Sequence, residues 1–464
     1  MPQDVQSLSP EIRAAGFTRV GYPPRAQSAP SRWRSATLWL VLGAFLLRIA
    51  FMLAIGTYRF DHRDDQSEVN EDTYIARSIV AGHGFSSPFA ETYTGPTAWV
   101  APIYPYFIAG VFKLFGSMTQ KSYLVIQCAQ SLFSALTVVP LIGILTLCGS
   151  RRSGIAAGTL WAFFPWFSRW ALTWIWETAL SAFLVASVLW FALWLADHGS
   201  RRAWIAFGAF WGFILLVNPA IGSLLPITLA YALYGNARRG QSWLRPLLTT
   251  VGVCVLVISP WLIRNRVAMG QWVFVRDNFG FEFALGNYHL SFGRGWAGKH
   301  PAVNPREFDF YQKMGELGYI RANTRQALDF VHQYPGEFLE LCAKRVLYFW
   351  DGSAMLFRGP VAPYWLPWSF GILSLLLPAA LSICWQLQLR GWWILFGTVA
   401  IFPIPYYLTY SPILYRHILE PVIVLMISYA AVEGWEQLTS YVHIEETDAV
   451  LATKPKAWAA SAGK

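Results

Sequence analysis

Residues 175–196 read IWETALSAFLVASVLWFALWLA and contain a single charged side chain, Glu177. An uninterrupted apolar stretch of about 20 residues is what an α-helix needs to cross the hydrocarbon core of a bilayer. The rest of the chain has the same character, since only 13% of its 464 residues are charged and 55% are hydrophobic. A soluble domain carries about 25% charged residues. We therefore predict an all-α, polytopic membrane protein.

Further apolar runs of similar composition occur along the whole chain. They lie near 37–56, 123–148, 153–167, 203–217, 219–235, 246–263, 365–388, 392–409 and 412–432. The runs at 153–167 and 203–217 are short for a membrane span. The 24 Trp residues suit the two membrane–water interfaces, where amphipathic rings concentrate. Together the runs predict about ten transmembrane helices.

One more run, APIYPYFIAGVFKLFG at 101–116, is assigned by the positive-inside rule. If it does not cross the membrane, the Arg residues that flank the spans fall on one side. They are Arg32, Arg34, Arg151, Arg152, Arg201, Arg202, Arg238, Arg239, Arg245 and Arg390. If it crossed, the pairs at 151–152 and 201–202 would lie opposite Arg32 and Arg34. We therefore predict an amphipathic helix at the outer interface, with both termini cytoplasmic. The formal charge of +10 then reflects cytoplasmic Arg rather than nucleic-acid binding.

This topology divides the chain into segments. They are a disordered cytoplasmic tail (1–35), an N-terminal transmembrane catalytic module (36–263) whose first outer loop is 57–122, a small periplasmic insert (264–362), C-terminal transmembrane helices (363–432) and a second cytoplasmic tail (433–464). The insert is long enough for a small fold with helices around 305–349. The five cysteines form no CxxC pair, so we predict neither a zinc site nor a disulfide framework.

The first outer loop is rich in acids. It holds seven of them, namely Asp61, Asp64, Asp65, Glu68, Glu71, Asp72 and Glu91. Glu71, Tyr74 and Ile75 have helical spacing, so Glu71 is expected to begin a short helix whose apolar side lies on the membrane. Partial desolvation there would raise the pKa of Glu71 and make it a better base. The alternative is a solvated acidic loop that keeps the outer face soluble.

Other ionisable residues lie at the predicted outer ends of spans. Glu177 is either functional, because ionisable groups at that depth are costly, or an acid that the macrodipole favours at a helix N-terminus. Cationic residues also lie near the predicted outer ends of spans. They are candidates for binding a phosphate, to which a guanidinium can donate two hydrogen bonds. They are Arg264, Arg266, Arg276, Arg416 and His417, with Tyr415 beside the last two. The alternative for the Arg residues is snorkelling to lipid headgroups.

Several stretches, in order along the chain, resemble the GT-C superfamily of membrane glycosyltransferases. The resemblance is to the branch of the protein O-mannosyltransferases and the lipid A aminoarabinose transferase. The matching stretches are NEDTYIARSIVAGHGFSSPF (70–89), TGPTAWVAPIYPYFIAGVFKLFG (94–116), WIWETAL (174–180), LVNPAIGSLLP (216–226), RDNFGFEFALGN (276–287), the segment 300–319 and YRHILEP (415–421). One departure is Ala101-Pro102, where the aminoarabinose branch has a Lys before paired prolines.

The resemblance implies transfer of a hexosyl or pentosyl group from a polyprenyl-phosphate carrier at the outer face of a bacterial inner membrane. By motif position, Glu71 is the expected catalytic acid of the first outer loop, Asp72 is the runner-up and Glu177 is the second acid. Membrane lipids and a protein, lipid or glycan acceptor are the expected partners. No nucleic acid or firm cofactor is expected, and a divalent cation is left open.

Two other classes share the many spans and the basic outer residues. A transporter or flippase of lipid-linked sugars predicts charges at mid-membrane and interrupted helices in matched halves. An O-antigen polymerase or ligase predicts dominant Arg residues and a dispensable first-loop acid. The chain has no GxxxxGK[ST] loop, which argues against ATP-driven transport, and its acids cluster on one face, which favours the enzyme.

Overall fold

The computed structural model describes residues 30–59, 70–90, 92–293, 297–352 and 365–453. Within these ranges the chain is helical, and the sole β-type contact is an isolated bridge between Ser86 and Pro96. Most of the tail at 1–35 and the acids Asp61, Asp64, Asp65, Glu68 and Glu91 lie outside the described residues. The first helix begins at Pro30, so the last residues assigned to the predicted tail are helical.

The N-terminal half contains the helices that build most of the membrane module. They are α1 (Pro30–Ile55), α2 (Glu71–Val80), α3 (Ile103–Phe115), α4 (Gln120–Leu136), α5 (Val138–Leu147), α6 (Arg151–Phe163), α7 (Pro165–Thr173), α8 (Thr178–Leu195), α9 (Arg201–Val217), the 3₁₀ helix Pro219–Leu224, α10 (Leu225–Arg238) and α11 (Leu244–Met269).

The C-terminal half contains the outer insert and the last membrane helices. They are α12 (Phe279–Gly286), the 3₁₀ helix Ala297–Lys299, α13 (Pro305–Met314), α14 (Glu316–Gln333), α15 (Pro335–Asp351), α16 (Trp365–Gln386), α17 (Trp392–Ile401), α18 (Ile404–Leu408), α19 (Ile413–His417) and α20 (Glu420–Thr453). The helices expected around 305–349 are confirmed as α13, α14 and α15, whereas α12 is a further helix that the sequence patterns did not predict.

Four described helical segments are long and apolar enough to cross a membrane. They are Ser35–Ile55, Gln120–Leu147, Thr178–Leu195 and Leu244–Met269. Shorter apolar helices occupy Ile103–Phe115, Phe370–Gln386 and Trp392–Leu408. Every predicted apolar run contains a helix, but several runs are divided between two helices, among them 123–148, 153–167 and 219–235. The run 392–409 divides into α17 and α18 near Pro403, and the run 412–432 divides between α19 and α20.

The largest apolar cluster joins the membrane helices. It includes Trp161, Trp166 and Trp211, all fully buried, together with aliphatic side chains of α5, α8, α9 and α20. Helices α9 and α11 pack closely against each other because α9 has a glycine, Gly208, at their contact. A Cβ at Gly208 would lie 2.5 Å from the carbonyl oxygen of Thr250, so only a residue without a side chain fits there.

A second cluster connects the first outer loop to the outer insert. Trp99 and Phe89 from the loop pack against Phe281, Tyr311 and Tyr319 from the insert. Trp99 and Phe281 are more than 150 residues apart in sequence but belong to one core. This packing holds the acids of the first loop against residues that follow α11.

Candidate active site

The start of α2 is defined by a capping box. The Asn70 side chain accepts a hydrogen bond from the Thr73 amide at 3.2 Å, and the Thr73 hydroxyl oxygen accepts one from the Asn70 amide at 3.0 Å. These bonds satisfy backbone donors that a helix N-terminus leaves free. The expectation that a helix begins at Glu71 is confirmed. Asn70 also donates from Nδ2 to the carbonyl of Ile175 at 2.5 Å, which ties Glu71 to the loop that carries Glu177.

Glu71 forms an ion pair with a histidine of the outer insert. Its Oε1 lies 2.9 Å from Nε2 of His300. The imidazole is enclosed by the rings of Phe89, Trp99 and Phe281, with centroids at 5.4, 6.4 and 5.3 Å. These rings shield most of the pair from water, which strengthens its electrostatic attraction.

The expected rise of the Glu71 pKa is wrong. Burial does raise the pKa of Glu71, but the hydrogen bond and charge of His300, helped by Arg276, outweigh burial and leave that pKa below its ordinary value. Burial lowers the pKa of His300, and the same bond to Glu71 overcomes it, so the net pKa of His300 is raised. The pair therefore favours an ionised Glu71 and a protonated His300. The sequence could not show this, because His300 is distant in the chain.

Asp72 has the opposite environment. Its side chain is buried, with the residue 2% exposed, and its Oδ2 accepts no hydrogen bond from any described residue. Burial first, and then the negative charges of Glu177 and Glu71, raise the pKa of Asp72 well above its ordinary value. These surroundings favour the protonated form of the Asp72 carboxyl, which can donate a hydrogen bond.

A cavity of about 340 Å³ is lined by Glu177 and Arg276, whereas Glu71 and Asp72 are not among its lining residues. Its walls come from the second outer loop, the segment after α9, the start of the insert and the segment before α19. Glu177, Asn218, Ser223, Phe274, Arg276, Phe279, Glu282, Tyr406, Tyr410 and Tyr415 are among its lining residues. Glu177 stands directly before α8, and burial, opposed by the charge of Arg276, raises the pKa of Glu177 to about 7.

Arg276 is the cation of this cavity. Burial lowers its pKa, but the nearby Tyr415, Glu282 and Glu177 raise it to a net value above the ordinary one. Its charge also acts on Glu71 and Asp72. One guanidinium thus connects the cavity lining with the two acids at the start of α2.

Of the predicted phosphate ligands, Arg276 and Tyr415 line the cavity and the others do not. Arg264 donates to the carbonyls of Thr97 at 2.6 Å and Phe85 at 2.5 Å. Arg266 donates to the carbonyl of Gly270 at the end of α11. Both side chains therefore bind backbone carbonyl groups. The sequence does not distinguish this structural role from phosphate binding for an Arg at a helix end.

Arg416 and His417 are fully buried. Arg416 donates to the carbonyls of Trp350 and Phe370 at 3.2 and 3.1 Å, and Nδ1 of His417 lies 2.6 Å from Oε2 of Glu420. These contacts tie α15, α16 and α20 together and leave both side chains outside the cavity lining.

Sequence reasoning missed several residues of the site. His300, Asn218 and Glu282 all lie inside the stretches on which the family resemblance rests, but none was singled out. A polar residue inside an apolar motif could have indicated two of them, namely Asn218 in LVNPA and Glu282 in FGFEFAL. Among the described residues, no group of three or more His, Cys, Asp or Glu side chains is arranged to hold a metal ion.

The chain is similar to known proteins both in sequence and in structure. Residues 99–263 match the family model described as dolichyl-phosphate-mannose-protein mannosyltransferase. The chain is also similar in structure to the oligosaccharyltransferase AglB from Archaeoglobus fulgidus, solved with an inhibitory peptide and a dolichol-phosphate, with 15% identity and a TM-score of 0.51. The apo form of that enzyme gives the same TM-score of 0.51. The predicted resemblance to the GT-C superfamily of membrane glycosyltransferases is confirmed.

The structural matches cover different shares of this chain and of the matched proteins. The match to AglB covers 89% of this chain and 52% of that one, so this chain spans about half the length of the archaeal enzyme. ArnT from Cupriavidus metallidurans, bound to undecaprenyl phosphate, matches over 87% of this chain and 78% of its own with 15% identity, but its TM-score of 0.41 is too low to support a conclusion. No curated protein matches the sequence.

Proposed function

We propose that this protein transfers a sugar from a polyprenyl-phosphate carrier to an acceptor hydroxyl at the outer face of the membrane. One observation carries the proposal, namely that a single cavity brings Arg276 together with Glu177 and lies beside Glu71. A cation for the leaving phosphate and a carboxylate for the acceptor are what this chemistry requires. The matching mannosyltransferase family model supports the same reaction.

The donor side of the cavity suits a lipid phosphate. Arg276 can grip phosphate oxygens with two hydrogen bonds, and the Tyr415 hydroxyl can donate a third. Phe274 and Phe279 line the same cavity and are 53% and 59% exposed. Such exposed rings, close to the apolar surface of α11, suit the first isoprene units of the carrier. The fold is shared with AglB, whose solved complex contains a dolichol-phosphate.

The acceptor side has Glu71 as the base. The acceptor oxygen would attack the anomeric carbon and form the new glycosidic bond, while the bond from that carbon to the phosphate oxygen breaks. The hydroxyl proton would pass to Glu71, and the phosphate would leave with the bonding electron pair toward Arg276. His300 keeps Glu71 ionised and oriented. Asp72, whose raised pKa favours the protonated form, would donate a hydrogen bond, and Glu177 would be the second acid of the site.

The distribution of Arg residues supports a location of the site on the outer side. We propose a bacterial inner-membrane protein with about ten spans, whose cavity faces the periplasm. The four long apolar helices and the three shorter ones are compatible with that count. The transferred group is a hexosyl or pentosyl residue, and attack opposite the leaving group would invert the anomeric centre.

The proposal is tested by sugar release from radiolabelled polyprenyl-phosphate sugars. The wild type is compared in detergent with Glu71→Gln, Arg276→Met and a control, Arg306→Met, whose side chain is exposed on the insert. We expect turnover by the wild type and the control, lost turnover in Glu71→Gln with carrier binding retained, and weakened carrier binding in Arg276→Met. Absence of turnover with every carrier, or full activity of both site variants, would refute the proposal.

A further inference from the structure

A second cavity of about 340 Å³ lies within the outer insert. It is bounded by the short helix Ala297–Lys299 and by α13 and α14, and none of its lining residues lines the first cavity. Neither the mechanism proposed above nor the predicted site residues use it. Its volume lies at the lower end of the range for small-molecule sites, about 300–1,000 Å³.

The charged groups of this second cavity balance each other. Lys299 is only 8% exposed, and its ammonium donates to Oε1 of Gln326 at 2.6 Å. Glu307 accepts a hydrogen bond from the Tyr319 hydroxyl at 2.8 Å, and its negative charge acts on Lys299. One buried cation facing one anion gives no preference for a charged ligand, so the cavity favours a neutral, polar one.

The uncharged lining has the composition that suits a sugar. Asn323 and Gln326 present planar amides that can both donate and accept hydrogen bonds from hydroxyl groups. Phe310 adds a flat ring, which can pack against the C–H face of a sugar ring, while the buried Tyr319 forms part of the cavity wall. Phe310 is 51% exposed at the rim, so its ring is open to an incoming ligand.

The second cavity also adjoins the candidate base. Lys299 is bonded to His300, so their Cα atoms are about 3.8 Å apart. The Nε2 atom of that His300 lies 2.9 Å from Oε1 of Glu71. We propose that this second cavity binds a neutral saccharide unit of the acceptor, which makes the acceptor a glycan. This inference rests on the proposed function, because it names the acceptor of that reaction.

The test is saccharide binding to the purified full chain in detergent, measured by saturation-transfer NMR. Maltose, cellobiose and mannobiose serve as neutral probes, with a uronic-acid disaccharide and a short peptide for comparison. The variants are Phe310→Ala and Gln326→Ala, and the control is Phe292→Ala, an exposed aromatic residue of the insert outside the cavity. We expect a neutral probe to bind the wild type and the control, with affinity about tenfold or more weaker in both cavity variants.

The proposal is overturned if no neutral saccharide binds, if the peptide or the charged sugar binds instead, or if the cavity variants bind as the control does. Donor turnover by the wild type is measured in parallel. Turnover without saccharide binding would refute the glycan site alone. Saccharide binding lost in the cavity variants, without turnover on any donor, would refute the transferase proposal and leave the site standing.

Discussion

Glu71 and Asp72 are neighbours in the chain, yet their carboxyl groups lie in opposite electrostatic surroundings. Glu71 is paired with His300 at 2.9 Å, which lowers the Glu71 pKa despite burial. Asp72 has no such partner, and burial with the charges of Glu177 and Glu71 raises the Asp72 pKa. The surroundings therefore push the pKa values of two adjacent acids in opposite directions, and this separation suits the proposed roles of Glu71 as base and Asp72 as hydrogen-bond donor.

The two acids are expected to respond differently to amide replacement. Glu71→Gln removes the carboxylate of the proposed base and should reduce turnover by about 10²–10⁴-fold. Asp72→Asn replaces a carboxyl whose protonated form is favoured by its surroundings with an amide of similar shape, so the loss should stay below about tenfold. Single-turnover rates with a saturating polyprenyl-phosphate sugar provide the measurement. Equal losses in the two variants would contradict this assignment of protonation states.

Glu177 is expected to make stability depend on pH. Burial raises its pKa from 4.5 to about 7 in the folded protein, so the folded state binds this proton more tightly than the unfolded chain. The stabilisation from Glu177 is present at low pH and is lost as the pH rises from about 4.5 to 7.

The variant Glu177→Gln should therefore match the wild type in melting temperature at pH 5 and exceed it at pH 8. Thermal unfolding in detergent, followed by tryptophan fluorescence, measures the difference. Glu340→Gln, which changes an exposed acid on α15, is the control and should show no such pH-dependent difference. A parallel shift of both variants would show that Glu177 has no raised pKa.

At the scale of elements, the first turn of α2 is the structure that orients the site. Asn70 caps the helix and also bonds to the carbonyl of Ile175 at 2.5 Å. A short helix with little hydrophobic driving force of its own depends on such contacts. The direction of the Glu71 side chain therefore depends on a residue that takes no part in the chemistry.

Substitutions at Asn70 separate these two contacts. Asn70→Ser keeps a capping oxygen but cannot reach Ile175, whereas Asn70→Ala loses both. Loss of the cap costs about 1 kcal/mol, and loss of the second hydrogen bond costs a similar amount of about 1 kcal/mol. Denaturant unfolding should therefore rank stability as wild type, then Ser, then Ala. Indistinguishable Ser and Ala variants would mean that the cap contributes nothing.

At the scale of the whole molecule, Arg345 on α15 joins the outer insert to the C-terminal helices. It is fully buried and donates to the Leu408 carbonyl at 2.9 Å and to Oδ1 of Asn287 at 2.9 Å. It also donates to the carbonyls of Gly286 and Tyr407. These acceptors lie at the end of α12 and in α18, so one guanidinium holds two walls of the active-site cavity together.

Arg345→Met should cost about 3 kcal/mol or more, because it leaves several buried carbonyl groups without donors. Hydrogen exchange should become faster at the end of α12 and in α18, while the packed pair α9 and α11 keeps its protection. Lys344→Met is the control, since that neighbouring side chain forms only an ion pair with Glu340. Unchanged hydrogen exchange in Arg345→Met would show that the Arg345 hydrogen bonds are not needed to hold α12 and α18 together.

The sequence by itself determined the helical class, the positions of the apolar helices, the start of α2 and the family resemblance. Each of these depends on residues that are close in the chain. Composition and run length reflect transfer into the bilayer, and the helix start follows from helical spacing at Glu71. The quoted motifs of the family likewise occupy single stretches of sequence.

Only the tertiary structure decided which charged residues meet. His300 reaches Glu71 through the shared core of Trp99 and Phe281, and this pairing reverses the expected direction of the Glu71 pKa. Arg416 and Arg276 look alike as outer cations, but one bonds to backbone carbonyls and the other lines the cavity. The physical reason is that burial, hydrogen bonding and charge depend on neighbours brought together by packing, and local sequence contains no record of those distances.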